Sequence, residues 1–367
     1  MLTQALGRYE PAVRTVIRVI AYLAVGLSAM LLVGLLLIRF WLWPSVPQWQ
    51  NEFLAKIEPQ LAQQGLSLSI GAAQADWESW YRPRLQLQDV SLVRADGQSV
   101  MSVQQLQATL GPRSMAMLLH WQPIFSEIRL QQPAALIERR PSGEMVVAGF
   151  PVSGESADPS ALNWLLRQGR LRIDGGSLVW RDEQRKKSAE LRDITFAMNN
   201  FGPRHAWALR AAPPAALGEG FVLQGKFNHG LFDQPSAIRD WTGETFVQFD
   251  RVNLSELFGF VHLPEQTPLK VNTGQGALRA WIAVKAMQIE DLTVDLDLTD
   301  ASLQWGSARR PMTLQQLTGR VETRLSAKKQ DVVLTNLALR SAQLKEVVTI
   351  PSARLNIEQV SESGDLS

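Results

Sequence analysis

The sequence predicts a mainly β protein: one N-terminal transmembrane helix followed by an elongated antiparallel sheet with a few short helices. Three observations predict it. Residues 19–38 read VIAYLAVGLSAMLLVGLLLI, twenty residues without a charge. From Leu66 onward, apolar and polar residues alternate with period two, as they do on half-buried strands. A hairpin-like pattern, one strand ending in Trp and the next opening on Leu, occurs three times.

The apolar run comes first. At ~1.5 Å per residue it covers roughly 30 Å, the thickness of a bilayer's hydrocarbon core. Arg8, Arg14 and Arg18 precede it, against Arg39 and Lys56 after it, so the charge bias places the N-terminus in the cytoplasm. Arg18 would cost ~2.5–3.5 kcal/mol at mid-bilayer, but one turn from the entrance its stem snorkels to the headgroups. The expected interface anchors are Arg14, Arg18 and Tyr22 on one side and Arg39, Phe40, Trp41 and Trp43 on the other. A cleaved signal peptide would have an apolar core of only ~7–15 residues and a small-x-small cleavage site, and neither is present. Sequencing of the mature N-terminus is therefore expected to find the segment retained, with Arg8 shielded from protease on the periplasmic side. A mature start beyond Trp43 would refute this.

The expected organisation is a cytoplasmic segment (1–15), the anchor (16–43), a lead-in helix (44–65) and a periplasmic β region (66–367). In the lead-in, Trp49, Phe53, Ile57 and Leu61 recur every four residues, with Pro59 near the end. That apolar stripe either caps the soluble part or lies along the membrane interface.

In the β region, the clearest strand has Leu292, Val294, Leu296 and Leu298 on one face and Thr293, Asp295, Asp297 and Thr299 on the other. Parallel sheets buried on both faces would give continuous apolar runs, so one solvated face implies an antiparallel arrangement. Short helices are expected at 114–120, 160–168 and 254–261, the second with Gly169 beyond its end. Residues 151–160 and 211–220, rich in Pro, Gly, Ser or Ala, are expected to be exposed loops.

The repeated hairpins are Ala75-Asp76-Trp77 with Leu87-Gln-Asp89-Val90, Ser177-Leu178-Val179-Trp180 with Leu191-Arg-Asp193-Ile194, and Ser302-Leu303-Gln304-Trp305 with Leu314-Gln-Gln-Leu317. Uneven spacing makes them a recurring unit, not a fixed-period array, and a sheet built this way grows along one axis.

Composition narrows the function. No cysteine occurs, so no disulfide contributes. Lys plus Arg (37) nearly balances Asp plus Glu (35), with basic doublets between apolar runs, which argues against a nucleic-acid surface. The histidines, His120, His205, His229 and His262, lack partners at metal-ligand spacing and are expected at the surface or an interface. Gly218-Glu-Gly220 and Gly274-Gln-Gly276 lack the third glycine of a dinucleotide fingerprint, and no phosphate loop occurs. Gly154-Glu-Ser156 lacks the closing glycine of a nucleophile elbow. The expectation is a non-enzyme with no metal and no cofactor.

The stretch Ala75-Asp76-Trp77-Glu78 through Arg82-Pro-Arg-Leu-Gln-Leu-Gln-Asp89-Val-Ser-Leu92, then Leu119-His-Trp121 through Glu127-Ile-Arg-Leu130, and the block 276–321 resemble, in order, the N-terminal part of YhdP-type proteins of the AsmA-like family. The resemblance implies a Gram-negative inner-membrane protein whose periplasmic sheet curls into a groove and moves phospholipid toward the outer membrane, supporting its permeability barrier. It further implies that the chain is a fragment of a longer protein, with a distal outer-membrane or periplasmic partner reached through a missing C-terminal part. The expected groove lining is Leu171, Ile173, Ile194, Phe196, Leu292, Val294, Leu296, Leu298 and Val321. The alternative is an envelope assembly factor that binds outer-membrane protein precursors or partners by β-strand addition.

Overall fold

The computed structural model describes residues 22–23, 25–30, 32–34, 36–80, 82–111, 114, 124–152, 159–260, 269–286, 288–305, 311–325, 329–341 and 346–358. Arg8, Arg14 and Arg18, nearly all of the helix expected at 114–120, and most of the 151–160 loop lie outside the described residues.

The helical run α1 (Val25–Gln63) is long and apolar enough to cross a membrane. Its winding is π at Ile38–Leu42, α at Trp43–Ser45, 3₁₀ at Val46–Trp49 and α again at Gln50–Gln63. Pro44 and Pro47 fall in this stretch, and each removes a backbone donor from the helical ladder, which the altered winding accommodates. The helix then runs along the sheet edge. Arg39 Nη1 donates to Trp80 O (3.1 Å), Trp43 Nε1 to Asp76 O (2.8 Å) and Gln50 Nε2 to Ile70 O (3.1 Å). Side chains thereby satisfy carbonyls that an open edge would leave exposed for pairing. Ile57 and Leu61 pack with Leu66 and Leu68, so the lead-in stripe caps the sheet.

Strands β1 (Leu66–Ser79), β2 (Arg82–Arg94) and β3 (Ser99–Leu110) pair antiparallel in chain order. β4 (Phe125–Gln131) and β5 (Ala134–Arg139) form one line interrupted at Pro133, and both pair antiparallel with β3. The short hairpin β6 (Met145–Val147) and β7 (Phe150–Pro151) and the helix α2 (Pro159–Arg167) follow. They return the chain so that β8 (Arg170–Asp182) lies parallel to β4 and β5. Then β9 (Lys187–Phe201), β10 (Arg204–Ala212), β11 (Phe221–Asn228) and β12 (Thr242–Asn253) meander antiparallel. After α3 (Leu254–Phe260), the meander continues through β13 (Leu269–Lys285), β14 (Gln288–Trp305), β15 (Met312–Leu325), β16 (Lys329–Arg340) and β17 (Val348–Glu358).

Among the described residues the result is one large curled sheet of seventeen strands, mixed where the sequence reading expects a purely antiparallel one. Alternation reports one solvated face and carries no information about strand direction. The crossover that parallel neighbours require is supplied by β6, β7 and α2. The three Trp-containing repeats are hairpins, β1–β2, β8–β9 and β14–β15. Connections fall on two rims. The rim where α1 meets the sheet, the anchor rim, carries the β1–β2 turn, α2, the β9–β10 turn and the β11–β12 connection. The far rim carries the β2–β3, β8–β9 and β10–β11 connections and α3.

A recurring kink breaks the period-two rule. Asp89, Asp193, Asp300 and Asn336 all have φ of 51°, a left-handed conformation that Asp and Asn tolerate better than other side chains. Each follows Leu-x and precedes an apolar residue: Leu87 and Val90, Leu191 and Ile194, Leu298 and Ala301, Leu334 and Leu337. Each kinked segment also packs closely on a glycine of the neighbouring strand, Gly71, Gly176, Gly274 or Gly319. Resetting the alternation keeps apolar residues on one face while the strands bend. The 211–220 segment is corrected: Ala211 and Leu217 are buried in the main cluster with α3 residue Leu254, because the segment and α3 together roof the apolar face along the far rim.

Candidate functional site

Fourteen strand lines make up the main ladder, with β4 and β5 counted as one and β6 and β7 set aside. One residue from each forms a continuous row. From Ala73 the register passes through Leu87, Leu106 and Leu130 to Ile173. It continues through Phe196, Leu209, Leu223 and Val247 to Ala280, and ends through Val294, Val321 and Leu334 at Ala353. All are apolar. Neighbours in register point to the same face, so at ~4.8 Å per strand the row runs roughly 60 Å. A second row beside it, through Ile128, Leu171, Met198, Trp207, Ile282 and Leu292, also carries no charge.

The nine expected lining residues share this face. Ile173, Phe196, Val294 and Val321 lie in the first row and Leu171 and Leu292 in the second, while Ile194, Leu296 and Leu298 pack in or against the main cluster. Their exposure is graded. Leu298 is 2% exposed beneath the α3 roof, whereas Leu292, Val294 and Leu296 on the same strand are only half-buried. The arrangement is an apolar trough with a sealed side and an accessible middle.

The opposite face is ionic and polar. Arg320 donates to both Asp295 carboxylate oxygens, from Nε (2.6 Å) and Nη2 (2.9 Å), and its hydrogen bonds hold the Asp295 carboxyl below the usual carboxylate range. Arg279 lies opposite Asp295 in register. A depression of about 660 Å³ on this face includes Phe246, Trp281, Ala208 and Thr293. Most of its lining belongs to this face, and Trp207 and Ile282 of the second row also border it. Among the described residues no group of three His, Cys, Asp or Glu side chains is placed to hold a metal.

Of the expected interface anchors, Phe40 and Trp41 are exposed on α1, and Tyr22, which precedes it, is exposed too. Trp43 turns to the sheet, edge-on to Trp77 at 6.3 Å, and Arg39 lies over the Trp77 ring at 4.8 Å.

One histidine expectation is overturned. His205 is 1% exposed, its ring stacked on Trp241 (4.5 Å) with His229 at 5.2 Å. The alternation around Trp207 and Leu209 points His205 to the buried face, a signal present in the sequence. Asn200 Nδ2 donates to Gln168 O and Asn200 Oδ1 lies 2.7 Å from His205 Nδ1, which assigns the ring proton to Nδ1. Burial, and secondarily His229, push the His205 imidazole down to about 4. The folded state therefore favours the neutral ring. Stability is full above the unfolded value near 6.5 and falls as pH drops from there toward 4, by on the order of 3 kcal/mol at most. Thermal melts between pH 7 and 4.5 should show this decline, and His205→Gln should flatten it; an unchanged slope in the variant would assign the decline to other groups.

No curated protein matches the chain. A family model described as YhdP protein matches residues 1–362, and with nearly the whole length covered, this chain belongs to the YhdP family.

Proposed function

We propose that the apolar trough is a path for phospholipid acyl chains. In this reading the protein is held in the bacterial inner membrane by α1, with its N-terminus cytoplasmic and its sheet periplasmic. It carries phospholipid between membranes without enzymatic chemistry, supporting the outer-membrane permeability barrier. The observation that carries the reading is the uncharged row crossing every line of the ladder. Two acyl chains of ~16 carbons expose some thirty methylenes in water, at ~0.8 kcal/mol each on the order of 20 kcal/mol or more. An apolar trough replaces that water with side chains, and headgroups stay at the open side.

The assembly-factor reading needs a strand edge that accepts an added strand, and among the described residues β17 pairs with β16 alone. Native mass spectrometry of the detergent-washed full chain separates the two. Retained phospholipid is expected. A lipid-free chain that binds unfolded outer-membrane protein would favour strand addition.

A further inference from the structure

The polar face of the sheet is not uniformly ionic. Across β9 to β14 the register sets two rows side by side on it. One passes through Ala197, Ala208, Gln224, Phe246, Trp281 and Thr293, the other through Asn199, Ala206, Lys226, Glu244, Ala283 and Asp291. Four alanines among longer side chains leave room for the depression of about 660 Å³. An aromatic pair lines it: Phe246 and Trp281 are register neighbours, with ring centres 5.2 Å apart and planes at 47°. Arg320, held by Asp295, braces the Trp281 ring from the β15 side at 5.8 Å. Trp281 is thus fixed by its neighbours and is nonetheless 41% exposed. Near it Asn199, Gln224, Lys226 and Glu244 are all exposed, and none of the four makes a side-chain hydrogen bond or ion pair among the described residues.

We propose that this depression binds an uncharged glycan, a chain of pyranose sugars. A pyranose has a C–H face that packs on an aromatic ring and hydroxyls around its rim that both donate and accept hydrogen bonds. Trp281 supplies the ring. The amides of Asn199 and Gln224, the Lys226 ammonium and the Glu244 carboxylate supply donors and acceptors together. Charge selects against an ionic ligand. Lys226 lies opposite Glu244 in register, and Asp291 pairs with Arg324 at 3.1 Å, so a phosphate gains no net attraction. An acyl chain would leave the polar side chains without partners. An extended peptide binds best at a sheet edge, whereas the backbone here is already paired on both sides of β10 to β13. A second hollow of about 250 Å³ shares Asp291 and Thr293 and reaches Arg354 of β17, which suits an elongated occupant over a single sugar. The site lies on the face opposite the apolar row, so the proposal does not depend on the lipid-path reading.

Saturation-transfer NMR on the full chain tests this, in a polyoxyethylene detergent because a maltoside headgroup is itself a sugar. The probes are chitotetraose, cellotetraose and a polar oligopeptide. Transfer to the ring C–H protons of at least one tetrasaccharide is expected, weakened about tenfold in Trp281→Ala and retained in Trp281→Tyr, which keeps an aromatic face. Binding of chitotetraose alone would identify an amino-sugar polymer, and binding of both a hexose polymer in general. Gln224→Ala, at an exposed position, should weaken transfer about threefold and serves if Trp281→Ala does not fold. Absence of transfer to both sugars overturns the proposal, as does transfer that neither alanine variant changes. Transfer to the peptide with none to the sugars assigns the depression to a protein segment and also overturns it. None of these results bears on lipid retained by the trough, which native mass spectrometry reads separately.

Discussion

Val294→Asp is expected to slow lipid passage about a hundredfold while the protein stays folded. Val294 sits in the apolar row between Ala280 and Val321 and is half-buried in the open middle of the trough. A carboxylate there can keep water on the accessible side, so the folding penalty should stay below ~2 kcal/mol. A passing acyl chain must displace that water, and a barrier of ~3 kcal/mol corresponds to about a hundredfold slower transfer. The paired measurement is photo-crosslinking: a probe at Val294 should capture phospholipid, and one at Asp295, facing Arg320 on the other side of the sheet, should not. Equal labelling would remove the basis for a trough. No labelling at 294 together with collapse of Val294→Asp would identify a dry protein core and favour the assembly-factor reading.

Gly276→Ala is expected to cost more stability than most single substitutions in this chain, about 3 kcal/mol or more. Gly276 has φ of 151°, and an added Cβ would lie 2.0 Å from Asp297 O and 3.0 Å from Leu298 Cα. These are backbone atoms of the adjacent strand. They cannot retreat without opening the ladder that carries Leu298 under the α3 roof. Gly97→Ala is the control: its φ is 83°, but nothing lies within 4 Å of the new Cβ, so only local strain of ~1 kcal/mol remains. Urea midpoints of the two variants should differ clearly, and equal losses would show that the close approach at Gly276 is not what matters.

Much of the fold was legible in the residues. The charge-free run marks α1, and alternation from Leu66 marks strands with one oily face. The expected 160–168 and 254–261 helices correspond to Pro159–Arg167 and Leu254–Phe260. That the nine expected residues share one apolar face was legible because alternation alone divides a strand's side chains between two faces. The Leu-x-Asp/Asn-apolar kinks were equally present as a pattern, yet they interrupt alternation, so a search for period two passes over them.

What the sequence determined by itself is therefore local: which segments are apolar throughout, which alternate, and which face of each strand is oily. Tertiary structure decided the rest. Whether Trp43 and Gln50 meet lipid or a strand edge depends on where β1 lies, and whether β8 runs parallel to its neighbours depends on where β6, β7 and α2 return the chain. Ala211, Leu217 and His205 are buried by segments distant from them in sequence, and the apolar row exists only because register aligns one residue from every line of the ladder. Local pattern fixes the direction of a side chain relative to its own backbone, but burial and alignment are properties of the neighbours that the whole chain brings to it.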